Sequence, residues 1–299
     1  YGRDPNDVMG EGGDGPEPEV KPVNPETGQC AAGYMFDTDL QACRLDTGGV
    51  ASTASAGQTF APGAYARMGL LDQTPQGLLQ VAGQPYDFDA ANRACYPNSG
   101  TTATDTVSDI AGTINGAVFE TTDNGIFALD GVDDYIEVMS NGNGSVFETQ
   151  TYTIDSWIKL DATNSDEVIF SYDYTAHSSP YYSVHLRTGS NGRLYFFWNN
   201  GSIYRLLVTS NFAVTAGSWL HVVALHESGR QKTYVNGQVV ASSTNTDTIS
   251  FYDQEVWIGK GNFGGNFGGD IASIRFYNRA LSDEEVLYNY NALKSRFGV

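Results

Sequence analysis

The sequence predicts an all-β fold: two antiparallel sheets stacked face to face, one short C-terminal helix, and an extended, mostly irregular N-terminal arm. Three observations predict it. Beyond about residue 101, short runs alternate apolar and polar residues with period two, and Gly and Asn turns separate them. About a dozen such runs fill the last 200 residues with almost no helical pattern between them, the signature of a sandwich of paired strands. Tyrosine (18) and phenylalanine (15) dominate the bulky residues, and both fit pleated, half-buried surfaces.

Taken in order, residues 1–28, "YGRDPNDVMGEGGDGPEPEVKPVNPETG", hold Pro, Gly and acid and little bulky apolar material. Such a stretch cannot bury enough surface to offset its ordering entropy, so it reads as an arm held by something outside it. Residues 29–100 read as a small irregular anchoring region with one short helix around "QGLLQVAG" and an acidic-aromatic stretch, "PYDFDAANRACYPN". The three cysteines, Cys30, Cys43 and Cys95, lie in this front third. Cys30 and Cys43 bracket a short loop and are placed to form a disulfide in an oxidising compartment, which leaves Cys95 as the odd thiol.

Residues 101–299 form the sandwich domain. Its strands are read at "AVFE" (117–120), "DYIEVM" (134–139), "TYTIDSWIKL" (151–160), "EVIFSY" (167–172) and "YYSVHLR" (181–187). Further runs are "RLYFFWN" (193–199), "IYRLLV" (203–208), "WLHVVALHE" (219–227), "QKTYVNGQVVA" (231–241), "EVWIGK" (255–260) and "DIASIRFYNRA" (270–280). In "TYTIDSWIKL" Tyr152, Ile154, Ser156 and Ile158 share one face and Thr153, Asp155, Trp157 and Lys159 the other, which suggests Trp157 as an anchor between the two sheets. Asn236-Gly237 suits the positive φ angles of a tight hairpin turn. Ser282 followed by Glu285 is a capping box, with Asp283 and Glu284 at the positive end of the helix dipole. Val286, Leu287, Tyr290, Leu293 and Phe297 make one helical face that closes on the sandwich.

Charge narrows the function. The chain carries 16 basic and 35 acidic residues, a net of −19, and both the first hundred residues and the remainder are acidic. A phosphate backbone is repelled, so nucleic acid is not an expected partner. No run of about 18 apolar residues exists, so no membrane-spanning helix is expected.

Four segments carry a resemblance: "LDGVDDYIEV", "YTIDSWIKL", "GSWLHVVALHESGRQKTYVNGQVVA" and "IGKG…FGGDIASIRFYNRALSDEEV". In order and spacing they resemble the laminin G-like, concanavalin A-like jelly roll, in its bacterial and bacteriophage branch, over about residues 115–299. The resemblance implies a jelly-roll sandwich that binds a glycan or another cell-surface ligand without catalysis. It also implies an extracellular, cell-surface or virion setting and, in many members, bound calcium. The expected role is attachment, with residues 1–100 anchoring the domain against neighbouring subunits of an oligomeric assembly. The alternative is a purely structural decoration or filament subunit with no glycan ligand.

The site residues follow. Asp130, Asp133 and Asp134 do not match a helix–loop–helix calcium loop; they are either turn and cap residues or, with Asp270, a calcium site. In the family such a site often forms near the loop before the last strand, which marks Asp270. A catalytic pair is not expected, since the "E-x-D-x-x-E" pattern of the related glucanases is missing, and no organic cofactor is implied. "GKGNFG" (259–264) matches a dinucleotide fingerprint in spacing alone, with no helix after it. The loop reads on as "NFGGNFGG", so Phe263 and Phe267 are expected on a ligand lip. Tyr172, Tyr174, Tyr181 and Tyr182, with Trp198, Asn199, Asn200 and Tyr204, suit a sugar, whose ring face stacks on aromatics while its hydroxyls meet amides. Of His177, His185, His221 and His226, none shows metal spacing; His221 reads as a packed core residue.

Overall fold

The computed structural model describes residues 84–139, 144–163, 166–173, 182–252 and 255–299, together with three short strands nearer the N-terminus. The chain divides into two compact units, Tyr1–Leu70 and Leu71–Val299. In the first unit, β1 (Val20–Lys21), β2 (Tyr34–Asp37) and β3 (Ala42–Leu45) form an antiparallel sheet in the order β1-β3-β2. Cys43 of the predicted Cys30–Cys43 loop lies within β3, opposite Phe36 of β2. Cys30, the rest of the 1–28 arm and the predicted helix at 76–83 lie outside the described residues.

The second unit holds sixteen described strands. They are β4 (Tyr86–Asp89), β5 (Thr102–Thr104), β6 (Ala111–Asn115), β7 (Val118–Glu120), β8 (Ile126–Asp130) and β9 (Tyr135–Met139). Then follow β10 (Tyr152–Leu160), β11 (Val168–Asp173), β12 (Tyr182–Gly189), β13 (Arg193–Asn199) and β14 (Tyr204–Val208). The last are β15 (Trp219–Glu227), β16 (Arg230–Val235), β17 (Gln238–Ser243), β18 (Val256–Ile258) and β19 (Gly268–Tyr277), before helix α1 (Asp283–Leu293). One sheet runs β17-β16-β15-β10-β19-β8-β7, and the other runs β14-β13-β12-β11-β18-β9-β6-β5. Every pair among the described strands is antiparallel, in keeping with the alternating runs.

Strand β19 takes two partners along one edge: β8 beside its first half and β4 beside its second, with Ile274 opposite Phe88. The sandwich therefore begins ahead of residue 100. Tyr86, Phe88, Cys95 and Tyr96 are buried among its core residues. The boundary read at residue 100 is corrected for a physical reason: "YDFD" gains its strand character only from the edge of β19, where Phe276 lies opposite Tyr86 and Ser273 opposite Asp89. Cys95 is a free thiol packed in this core, and burial pushes its pKa up to about 12.

Between the sheets, Phe127, Ile136, Tyr152, Ile154, Phe170, Leu186, Phe196, Trp198, Val222 and Phe276 form one continuous core. Full burial of each such side chain stabilises the fold by about 1.5–3 kcal/mol. A second, smaller cluster lies on the outer face of the first sheet, where Trp157, Trp219 and Ala272 meet Leu293 and Phe297. Trp157 stacks on Phe297 at 4.4 Å and on Tyr290 at 5.9 Å. It anchors α1 to the sheet and not one sheet to the other. Strand β10 is covered on both faces, so alternation sorts its side chains without showing what covers each side.

The predicted helix start is present: Ser282 Oγ accepts from the Glu285 N–H at 3.2 Å, and a Glu285 oxygen accepts from the Ser282 N–H at 2.8 Å. Val286, Leu293 and Phe297 are buried, but Leu287 is exposed. Asn289 is buried instead, donating to Asp155 at 2.9 Å and to the Tyr277 hydroxyl at 3.1 Å. The hairpin turn is as expected, with φ of 51° at Asn236 and 75° at Gly237. His221 is buried on the helix side, 3.1 Å from Asp155, while His226 faces the core beside Tyr152 and Trp198. Among the described residues no helix is long and apolar enough to cross a membrane.

Candidate binding cleft

Strands β12, β13 and β14 turn one set of side chains to the core and the other to the outside of the second sheet. Cross-strand register places His185 opposite Phe197, Arg187 opposite Tyr195, and Phe197 opposite Leu206. Side chains directly opposite share a face. The outward set therefore collects Arg187, Tyr195, Phe197, Tyr204 and Leu206; Tyr182 joins it across a register shift at the start of β12, and Phe263 from the loop before β19. Together they line a cleft of about 530 Å³.

The floor is aromatic and ordered. Tyr195 and Phe197 stack at 6.0 Å, Tyr182 meets Phe197 edge-on at 5.5 Å, and Tyr204 lies 6.2 Å from Phe197. Tyr204 is 57% exposed and Phe263 44%, so both offer open ring faces. The Arg187 guanidinium carbon sits 4.7 Å from the Phe197 ring and 4.7 Å from that of Phe263.

Beside this floor the 259–268 loop crosses the sheet. A Cβ on Gly261 would lie 2.4 Å from His185 Nε2, so only glycine lets the backbone pass this close. Asp173 accepts the Asn262 N–H, and Ser171 Oγ donates to the Lys260 carbonyl at 2.7 Å. Burial pushes the Asp173 carboxyl up to about 7, and nearby Glu255 adds to this. Burial, helped by Arg187, pushes the His185 imidazole down to about 3. The fingerprint-like glycines thus serve a strand-to-strand crossing, with Gly259 at φ +81° and Gly264 at φ +107°.

The structure separates the aromatic residues expected to bind ligand. Tyr182 and Phe263 line the cleft together with Tyr204. Trp198 and Phe267 are in the core, as is Tyr172, whose hydroxyl donates to Glu148 at 2.7 Å. These three are corrected from ligand residues to packing residues. Asn200 holds a turn: its Oδ1 accepts from the Ser202 and Ile203 N–H groups, and its Nδ2 donates to Asp247 at 3.2 Å. Tyr174, Tyr181 and His177 lie outside the described residues. Sequence reasoning missed Arg187, Tyr195, Phe197 and Leu206. "RLYFFWN" is apolar on both faces, so its period signals a strand without showing which parity faces out.

The aspartates divide as well. Asp130 Oδ1 accepts from the Val132 N–H at 2.8 Å and the Asp133 N–H at 3.3 Å, which holds its carboxyl below the usual range. Asp134 accepts from the Asp130 N–H at 3.0 Å, and burial raises its pKa. Asp130, and not Asp133, is the turn cap, with Gly131 at φ 75°. One ligand atom from each of Asp130, Asp133 and Asp134 lies within 4.8 Å of the others, an oxygen set that fits a hard divalent cation. Asp270 is not in this group; it pairs with Lys159 at 2.9 Å on the outer face of the first sheet.

Known proteins set the fold in context. No curated protein matches the sequence. Among solved structures, domain 4 of the extracellular arabinanase AbnA from Geobacillus stearothermophilus, in complex with arabinotriose, is similar at 18% identity and TM-score 0.50 over 68% of this chain and 96% of that one. The receptor-binding domain of botulinum neurotoxin type G is similar at 14% identity and TM-score 0.51, over 70% of this chain and 51% of that one. Trypanosoma rangeli sialidase is similar at 15% identity and TM-score 0.54, over 71% of this chain and 33% of that one. The match thus spans about half of the neurotoxin domain and a third of the sialidase. A family model for the concanavalin A-like lectin/glucanases superfamily matches residues 130–287, more than half of the chain, and the chain belongs to that superfamily.

Proposed function

We propose that the cleft on the outer face of the second sheet binds a carbohydrate, without catalysis, and that the domain serves attachment at an extracellular or particle surface. The observation that carries this reading is the cleft itself: five aromatic rings line it, and two of them are open to solvent. A sugar's apolar ring face packs on such rings, and its hydroxyls stay wet at the rim. A complex with arabinotriose in a similar fold is consistent with that use. Among the described residues no carboxylate lines the cleft, whereas glycoside hydrolysis needs two flanking the scissile bond. The first unit, Tyr1–Leu70, is proposed to anchor the domain in a larger assembly.

The test is glycan-array binding followed by calorimetry on the full chain. Tyr204→Ala should weaken binding at least about tenfold while leaving the melting midpoint unchanged, because the ring is largely exposed. If no glycan binds and the chain instead assembles with itself, the domain is a structural subunit and the reading fails.

Calcium is proposed at Asp130, Asp133 and Asp134, where its charge would offset three clustered carboxylates. Calcium titrated into the full chain should bind with a Kd of about 10⁻⁴–10⁻³ M, the range of extracellular modules. Asp134→Asn should weaken it at least about tenfold; equal heats for both proteins would rule the site out.

A further inference from the structure

Arg187 is the one charged residue lining the cleft among the described residues. Its side chain is only 7% exposed, and its guanidinium lies between Phe197 and Phe263 with Tyr195 5.4 Å away. Aromatic faces satisfy the flat sides of the group but not its N–H edge. Among the described residues, Nε and Nη1 find no hydrogen-bond acceptor. The nearest carboxylate oxygen, on Asp166, is 3.7 Å from Nη1, too long for a hydrogen bond, and the Asp166 side chain is 47% exposed. A buried cation with unmet donors is costly, and a planar anion repays that cost best through paired N–H···O bonds.

Phe263, over one flat face of the group, is half-exposed on a glycine-rich loop, and a Cβ on Gly264 would meet Val168 Cγ2 at 3.0 Å, the Asp166 carbonyl at 3.3 Å and Arg187 Nη1 at 3.5 Å, so glycine lets the loop backbone lie close beside the guanidinium. A shift of Phe263 would uncover the guanidinium at the bottom of an aromatic trough. Sugar stacking requires only the rings; a buried arginine adds a demand for negative charge.

Resting on the carbohydrate reading above, we propose that the ligand is an acidic sugar whose carboxylate is held by Arg187 beneath Phe263 while its ring stacks on Tyr195, Phe197 and Tyr204. Asp166 competes with that carboxylate and weakens the site. A −19 chain would otherwise repel an anion, so selectivity must come from this contact and not from the overall field.

The experiment compares uronic-acid oligosaccharides with the same oligosaccharides after reduction of each carboxyl to an alcohol, by calorimetry on the full chain. The acidic form should bind at least about tenfold tighter. Arg187→Met should erase that preference but keep binding of the reduced form, and Arg187→Lys should recover only part of it, because lysine lacks the fork. Asp166→Asn, at a half-exposed position, should raise affinity for the acidic form several-fold and leave the reduced form unchanged. This second variant decides the matter if Arg187 variants fail to fold. Equal affinity for both forms, or no response to Asp166→Asn, overturns the acidic-sugar proposal and leaves the carbohydrate reading standing. If neither form binds and an array of neutral glycans is also negative, both are wrong.

Discussion

Replacing Arg275 by methionine should lower the unfolding free energy by about 3–5 kcal/mol at pH 7, the usual effect of removing one partner of a buried ion pair. Arg275 is 1% exposed and lies 3.0 Å from both an Asp87 and an Asp89 carboxylate oxygen. Asp89 retains Arg296 at 3.0 Å after the substitution. Burial already holds the Asp87 carboxyl above its ordinary pKa even with Arg275 lowering it. Removing the guanidinium takes away the charge that lowers the Asp87 pKa. The folded-state pKa then rises further above the unfolded value, and the lost stability should return as pH falls toward about 4. Denaturant unfolding at pH 4.5 and 7.5 measures this, and adding Asp87→Asn should rescue most of the loss. A deficit that is equal at both pH values, or unrelieved by Asp87→Asn, would mean that the arginine acts by packing alone.

Asp173→Asn should have the opposite sign: a gain in stability above pH 7. The folded carboxyl titrates near pH 7 because burial disfavours its charged form, against about 4 in an unfolded chain. Between those values the native state keeps a proton that the unfolded state has released. Stability therefore falls as pH rises from about 4 to 7 and stays at the lower level beyond. Three units correspond to roughly 4 kcal/mol, an upper figure for one group. Asparagine keeps the shape and can still accept the Asn262 N–H, but it cannot ionise. The variant should match the parent near pH 4 and exceed it by up to a few kcal/mol at pH 8. His185 does not interfere, since its imidazole stays neutral until about pH 3. A variant less stable than the parent at pH 8 would show that the carboxylate has an ionic partner in the folded chain.

Much of the architecture is local in origin and therefore legible. The strands from Tyr152 to Tyr277 are written in period-two runs, the Asn236-Gly237 turn in two residues tolerant of positive φ, and the start of α1 in the Ser282–Glu285 pair. Other features depend on distant segments. "PYDFDAANRACYPN" looks like linker until β19 presents an edge to it. Phe263 and Phe267 sit in identical "NFGG" repeats, yet β19 starts at Gly268 and draws only Phe267 into the core.

By itself, then, the sequence determined a two-sheet antiparallel sandwich closed by a capped helix, because propensity, pattern and turn chemistry act over a few neighbouring residues. The tertiary structure alone decided which parity of β13 faces solvent, and so set Tyr195 and Phe197 beside Tyr182, Arg187 and Tyr204 in one cleft. Strands that are apolar on both faces carry no mark of inside and outside. That choice is made by what packs against them, and here the stacking of the other sheet on one side leaves the second set free to form a site.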